Sequence, residues 1–597
     1  MAGKLHVESI MASEVDHGST LDSSPSLAAT EAPMVIRKSE AAKASMLALR
    51  WGAVFVGLLL VAILWQWLGR AYSSEFSGAD ESAHFVTGLM IRDYVAAGFP
   101  TSPIKFAEEY YVHYPKVAFG MWGPLLHVTE AAWMLVFPPT RVSLLLLMAM
   151  ISASTAFLLC RSLVEEFGSV LAVVAGFLFL SVPAVQHHTG MIMADILVAL
   201  MDFCAALAFG RYLRRREWKY SMWFGVFVCL SVLTKGNGLA LVLLPVFAIV
   251  FSRDWNILKG KSFWAAPLLV LCIAGPWQYY SAKALIGIQY RRPVGMFISG
   301  YTWTVLTLFG VALLPVVAAG VYDRLILPAW RRSLDGIWAS AAALVCSVWA
   351  FHCMVPVLGV DWRYLIAVMP PLLMFLIAGI HAIARWIAFL PIGPQRRLWG
   401  TAVVVVVIFL ISNFSIPQKR YFGFDEVAER LESPQYQKSV IMVSSDALDG
   451  EGMLISEIAM REKRPSHIVL RATKMLSQSD WMGERYSLLY NTPEKVMSFM
   501  NETPVEVVVI QDGAGPTEYP DHKLLRQTID RYSAEWEHIG TFPQRRAGEP
   551  GSRIDAYRLK SAAGRSVGKL RINLPYTLRR SIEISTGPGI PPKSKIQ

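Results

Sequence analysis

The chain has 597 residues, 54% of them hydrophobic and 17% charged, with 19 tryptophans and a formal net charge of +11. That balance excludes a soluble globular protein and describes a polytopic α-helical membrane protein. Its basic residues fall in short stretches between apolar runs, where they orient spans, so no nucleic-acid partner is expected.

In chain order, residues 1–45 are rich in Ser, Ala, Glu and His and have no apolar core, which reads as a disordered cytoplasmic tail before a signal anchor. Apolar windows of about twenty residues predict spans near 51–68, 142–160, 169–185, 195–213, 262–281, 301–322, 337–356, 365–383 and 398–416. The stretch 221–251 is too long for one helix and is interrupted by Thr234-Lys235-Gly236-Asn237-Gly238, which predicts two short helices meeting at a polar break. All six cysteines lie inside apolar runs, so neither a disulfide framework nor a zinc spacing is expected.

Val117 to Phe137 has the length of a span but carries Gly120, Gly123, Pro124, His127 and Glu130. If it does not cross, the stretches 211–219, 253–261, 324–332 and 385–397 all become cytoplasmic, and all four are basic. The segment is therefore expected to be an interfacial helix within one long external loop, 69–141, which leaves about eleven spans, an inside N-terminus and an outside C-terminus. From 417 to about 560 hydropathy falls. Strands at 439–444, 467–470 and 505–510 with a helix at 450–461 predict a soluble external α/β domain. Asp446, Asp449 and Asp512 stand at strand ends, but no Gly-rich phosphate loop accompanies them, so a structural or acceptor-positioning module is preferred to a second active site. Residues 561–597 are basic and read as a disordered or lipid-hugging tail.

With that topology the outer face gathers Asp80 and Glu81, His113 and Lys116, His187, His188 and Asp195, Lys235, Arg291 and Arg292, then Asp361 and Arg363. Carboxylates facing cations suit a reaction in which a base deprotonates a nucleophile while a phosphate departs. Each residue also has a plainer reading. Asp80-Glu81 can favour the first turn of the helix that follows, and Asp195 can cap a helix. Lys235 can snorkel to head groups, the two histidines can sit at the interface, and Arg363 can be a loop charge.

The order of these features resembles the GT-C superfamily of integral-membrane glycosyltransferases, in particular the branch of lipid A aminoarabinose transferases and protein O-mannosyltransferases. The matching pieces are Gly78-Ala79-Asp80-Glu81-Ser82-Ala83-His84 and the helix-like Phe85 to Ala97, then Tyr114-Pro115-Lys116, Ala194-Asp195, Leu233-Thr234-Lys235-Gly236, and Asp361-Trp362-Arg363-Tyr364 before Pro370-Pro371. They cover roughly residues 45–416, a GT-C-like catalytic domain over 46–416.

What the resemblance implies is a transferase that takes a sugar from a polyprenyl-phosphate donor to a hydroxyl of a lipid, glycan or protein acceptor. Asp80 matches the catalytic acid and would act as base for a single inverting displacement. Glu81 would orient the loop or a substrate, and Asp195 would help bind the sugar or support Asp80. Lys116 aligns with a phosphate-binding lysine, and Lys235, Arg291 or Arg292, and Arg363 are the further phosphate candidates. The family often has an acidic residue beside that first-loop lysine, followed by proline; here the order is His113-Tyr114-Pro115-Lys116-Val117, which leaves the register of Lys116 open. Some members use a metal, and His113, or His187 with His188, could supply ligands to a divalent ion beside Asp80 and Asp195. The expected location is a bacterial inner membrane, with the site and the C-terminal domain on the periplasmic face. The competing reading, a transporter or flippase of lipid-linked sugars, calls for repeat symmetry between halves, which the chain does not show.

Overall fold

The computed structural model describes residues 32–597 except 119, 286–293, 356–358, 414, 447–448, 479–485, 514–518, 545–550, 563–567, 574–580 and 587–597. The chain divides after Val54 into two units. The first is helical from Ala32, so regular backbone begins inside the tail expected to reach residue 45. The second, from Phe55 onward, contains everything that follows.

Among the described residues seven helices are long and apolar enough to cross a membrane, and four shorter apolar helices accompany them. After α1 (Ala32–Leu68) comes a long connection holding α2 (Gly78–Ala96), α3 (Pro103–His113) and α4 (Leu125–Val136). The ambiguous segment is thus a helix of 12 residues. At about 1.5 Å per residue it reaches about 18 Å, short of a hydrocarbon core of about 30 Å. Ser102 starts α3 by accepting from Lys105 N, with Pro103 at its first position.

The spans expected at 142–160 and 169–185 are the two arms of α5 (Arg141–Ser181), started by the Thr140 side chain and bent at Gly168. Gly168 has φ 79° and ψ 166°, a conformation only glycine takes without strain, and it separates the arms where the window average only dipped. Next come α6 (Pro183–Thr189), α7 (Ala194–Arg215) and α8 (Trp218–Thr234). The polar break expected at 234–238 is present: α8 ends at Thr234 and a tight turn of helix, Gly236–Val242, leads into Leu244–Ser252.

Two expectations change. The stretch 262–281 is divided between helices Lys261–Ile273 and Gly275–Leu285, at a Gly-Pro pair. The one at 301–322 straddles a break at Gly310, so the span-length helix is Val311–Trp330. Both breaks sit in uniformly apolar sequence, where hydropathy has no contrast to report.

Trp362–Phe389 is the central helical stretch, with 89% of its apolar window buried against protein, whereas Pro394–Ser412 has 17% buried and shows the rest to lipid. The central stretch meets Leu314–Val321 backbone to backbone. A Cβ at Gly379 would lie 1.8 Å from the Val316 carbonyl oxygen, and one at Gly320 would lie 1.9 Å from that of Phe375. Gly379→Ala is therefore expected to force the helices apart and cost about 1–3 kcal/mol. Thermal unfolding in detergent reads this, and an unchanged midpoint would contradict the close approach.

The C-terminal region is a five-stranded sheet of order β2-β1-β5-β7-β6, with β1 (Val440–Ser445), β2 (Ile468–Arg471), β5 (Val507–Asp512), β6 (Trp536–Pro543) and β7 (Arg553–Leu559). The first three pair in parallel, β7 runs antiparallel to β5, and β6 antiparallel to β7. The two-residue strands β3 (Ser477–Gln478) and β4 (Ser487–Leu488) pair separately. The expected α/β domain is present, and its core takes in Val112 from α3. The basic tail needs correction: β8 (Gly568–Asn573) and β9 (Ser581–Thr586) form a hairpin, and Leu570, Ile572 and Ile582 join the same core. Alternation of apolar side chains outweighs the basic composition there.

The segment after the last span runs alongside the start of the long connection. Lys419 N donates to Gly69 O at 2.9 Å, Glu75 N to Tyr421 O at 2.9 Å, and Phe424 N to the Glu75 carboxylate at 3.0 Å. The helix Gly450–Arg461 then packs on α2, with Ser456 Oγ donating to Ser82 O at 3.4 Å.

Candidate active site

Asp80 lies in the first turn of α2, where a negative charge suits the helix dipole. Its partner comes from far along the chain: Arg363 Nη1 is 3.1 Å from Asp80 Oδ2. The Asp80 side chain keeps 37% exposure, so the carboxylate retains a face for a substrate. Arg363 is held in turn by Asp361, Nε to Oδ2 at 2.9 Å, and donates to the Tyr364 hydroxyl at 3.2 Å.

Asp195, in the first turn of α7, takes the Lys235 ammonium at 2.8 Å. Lys235 sits where α8 stops, and its ammonium stands 5.3 Å above the Tyr364 ring. The plain head-group snorkel is therefore not what this lysine does. Asp195 Oδ2 is buried and has no hydrogen-bond partner among the described residues. Such an atom is costly to leave unmade, and it is oriented to receive a donor. Asp195, Asp202, Asn237, His352, Arg363 and Tyr364 line one small cavity. Tyr364 links the two ion pairs and stacks on His352, with ring centres 5.2 Å apart.

Glu81 belongs to a different cluster. Its fully buried carboxylate takes Ser77 N at 2.6 Å, Ser77 Oγ at 2.8 Å and Ile192 N at 3.2 Å. Lys419 Nζ lies at 2.7 Å and Arg141 Nε at 3.4 Å. Burial alone would raise the Glu81 carboxyl, but Lys419 and Arg141 outweigh it and hold the group below the usual carboxylate range. Neighbours in sequence thus face separate charge clusters, with Asp80 open and Glu81 locked. Lys419 and Arg141 were not among the residues singled out by sequence, and no local pattern pairs them with Glu81.

Lys116 is buried between α2 and the C-terminal domain. A Cβ on Gly452 would lie 3.0 Å from its ammonium and 3.2 Å from Ser82 Cβ. Burial, then the like charge of Arg471, push its ammonium down to about 7, against the pull of Glu451, Asp449 and Asp80. The site therefore has a cation at its margin that domain packing holds in place.

The histidines do not gather. His113 donates to the His467 carbonyl of the C-terminal domain at 2.8 Å, and burial lowers it. His188 bonds back to Ala184 O at 2.9 Å, and both it and His187 pack against Trp362. Among the described residues no group of three or more His, Cys, Asp or Glu side chains converges to hold a metal ion. The described candidates do not fit one, and no step is derived through it. Arg291 and Arg292 lie outside the described residues. His84, which closes the Gly78–His84 stretch, stands one turn after Asp80 in α2, and its i, i+4 spacing is the sequence signal that ties it to that carboxylate.

Residues 123–280 match the family model of the dolichyl-phosphate-mannose-protein mannosyltransferases. The solved apo structure of ArnT from Cupriavidus metallidurans is similar over 87% of this chain and 100% of its own, at 15% identity and a TM-score of 0.54. ArnT from Cupriavidus metallidurans bound to undecaprenyl phosphate is similar over 86% and 99%, again at 15% identity, with a TM-score of 0.55. No curated protein matches the chain. A polytopic helical domain with a long first connection and a strand-containing C-terminal region, matched over the whole of ArnT, gives this chain the fold of ArnT.

Proposed function

We propose that the protein transfers a sugar from a polyprenyl-phosphate donor to a hydroxyl of a lipid, glycan or protein, by one inverting displacement with Asp80 as general base. The observation that carries this is the juxtaposition of Asp80, partly exposed on Arg363, with Asp195, whose second oxygen is unpartnered beside Lys235. It is supported by a fold whose solved relative binds undecaprenyl phosphate.

In this reading Asp80 takes the acceptor proton as the acceptor oxygen attacks the anomeric carbon and the phosphate leaves from the opposite side. Asp195 Oδ2 accepts from a sugar hydroxyl. Arg363, Lys235 and Lys116 absorb the charge that grows on the phosphate, with Arg291 or Arg292 as a further contact from the resemblance. Glu81 does not touch substrate; it holds the start of α2 so that Asp80 faces Arg363. The C-terminal domain positions Lys116 and borders the acceptor side. The reaction is assigned to the periplasmic face of a bacterial inner membrane.

The test is direct. Purified protein given a polyprenyl-phosphate sugar and candidate acceptors is expected to release polyprenyl phosphate. Donor binding without release would favour a flippase and remove the transferase reading. A second expectation concerns pH. Phosphate beside Lys116 raises its affinity for a proton, so donor binding is strongest below about 7 and weakens as pH rises past it. Binding of a polyprenyl-phosphate sugar, a diester that does not titrate in this range, measured between about pH 6 and pH 8 reads this, and Lys116→Met is expected to flatten the slope.

A further inference from the structure

In the proposed transfer the acceptor proton arrives on Asp80, and a buried pair of histidines begins one turn further along the same helix, within the field of that carboxylate. His84, one helical turn after Asp80 in α2, is 1% exposed. Its Nδ1 is 3.0 Å from Nε2 of His127 on α4. The ring packs on Trp122, 4.4 Å between centres. The nearest charges are Asp80 on its own helix, Lys235 and Asp195 from the α7–α8 side, and Arg363 from the central stretch. Further along the α2–α4 interface, Glu130 lies against Gly88, and neither of its oxygens has a hydrogen-bond partner among the described residues.

Resting on the proposed transfer, we infer that His84 receives the acceptor proton from Asp80, while His127 holds the His84 ring in the tautomer that can accept it. With Nδ1–H donated to His127 Nε2, the lone pair on His84 Nε2 is left for the site. The acceptor O–H bond breaks and its proton goes to an Asp80 oxygen. The new bond from oxygen to the anomeric carbon forms as the bond from that carbon to the phosphate oxygen breaks, its electron pair leaving with the phosphate. Asp80 then passes the proton to His84 Nε2, and the imidazolium gives it to water when product leaves.

Burial, opposed by the Asp80 charge, pushes His84 down to about 4. His84 acts through Asp80, so it is a positioning and proton-accepting residue rather than a group on the substrate.

The experiment uses the full-length protein in lipid nanodiscs with a polyprenyl-phosphate sugar, comparing wild type, His84→Gln, His127→Gln and Asp80→Asn. His84→Gln is expected to lower kcat about 10- to 100-fold with KM for the donor within about threefold, and to raise the solvent deuterium isotope effect on kcat as proton removal becomes limiting. His127→Gln is expected to move both in the same direction by less. A His84→Gln protein with kcat within about twofold of wild type, or with an unchanged isotope effect, would overturn the inference. Should His84→Gln not fold, His127→Gln with wild-type kcat and isotope effect does so equally. If Asp80→Asn alone abolishes transfer while both histidine variants behave as wild type, the transferase reading stands and only this inference falls. If wild type transfers nothing, both fall.

Discussion

Asp80→Asn is expected to lower kcat for sugar transfer about 10²- to 10⁴-fold, the range that a positioned general base supplies. The substitution is isosteric and keeps an oxygen for Arg363, which also retains Asp361, so the local fold has little reason to move. What disappears is the lone pair able to take a proton at neutral pH. Donor affinity is expected to stay within a few fold, since removing a negative charge beside the phosphate contacts does not weaken them. Single-turnover transfer measured beside polyprenyl-phosphate binding separates the two quantities. Transfer at the wild-type rate would end the assignment of Asp80 as base.

Lys419→Met is expected to cost about 3–5 kcal/mol, because it strips a cation from a carboxylate with no water to replace it. Glu81 would keep Arg141, but that guanidinium is already committed to the carbonyls of Ala71 and Ser74. Adding Glu81→Gln in the same chain is expected to restore part of the loss, since the uncompensated charge then goes. The pH dependence has a definite sign. The folded Glu81 carboxyl is depressed, so its contribution is fully present above the unfolded value of about 4.3 and is lost as pH falls through the folded one. In Lys419→Met that carboxyl loses its main counter-charge and rises, so the loss relative to wild type is expected to be largest near neutral pH and to shrink as acid protonates Glu81. Thermal and acid denaturation in detergent check both statements, and additive losses in the double variant would show that the two residues do not act as a pair.

Much of the architecture was legible because apolar length and basic loops are local signals. The polar break at Lys235 and the α/β alternation after residue 417 follow from composition within one window, and the non-crossing α4 from where the basic loops fall along the chain. Asp80, Asp195, Lys235 and Arg363 were legible as a set from their order along the chain, and the structure pairs them two by two. What stayed hidden depends on distant partners. Nothing near Glu81 distinguishes it from Asp80, and only Lys419 and Arg141 make it a buried strut. The His84–His127 pair was hidden for the same reason, its two halves being adequate interfacial residues in isolation. The β8–β9 hairpin was masked differently, by a basic composition that drew notice away from its alternating Leu570, Ile572 and Ile582.

The tie between Glu81 and Lys419 also sets an order of assembly. The carboxylate is synthesised 338 residues before its cation. At about 5–20 residues per second that interval is on the order of 20–70 s. For the first 60 residues of it Glu81 has neither cation, and for the rest it has Arg141 but not Lys419. The transmembrane helices can be inserted while the loop bearing Asp80 is still incomplete, and the first residues past the last span bring the missing charge. The nascent chain thus holds an unfinished charge cluster around Glu81 until its last span has been made.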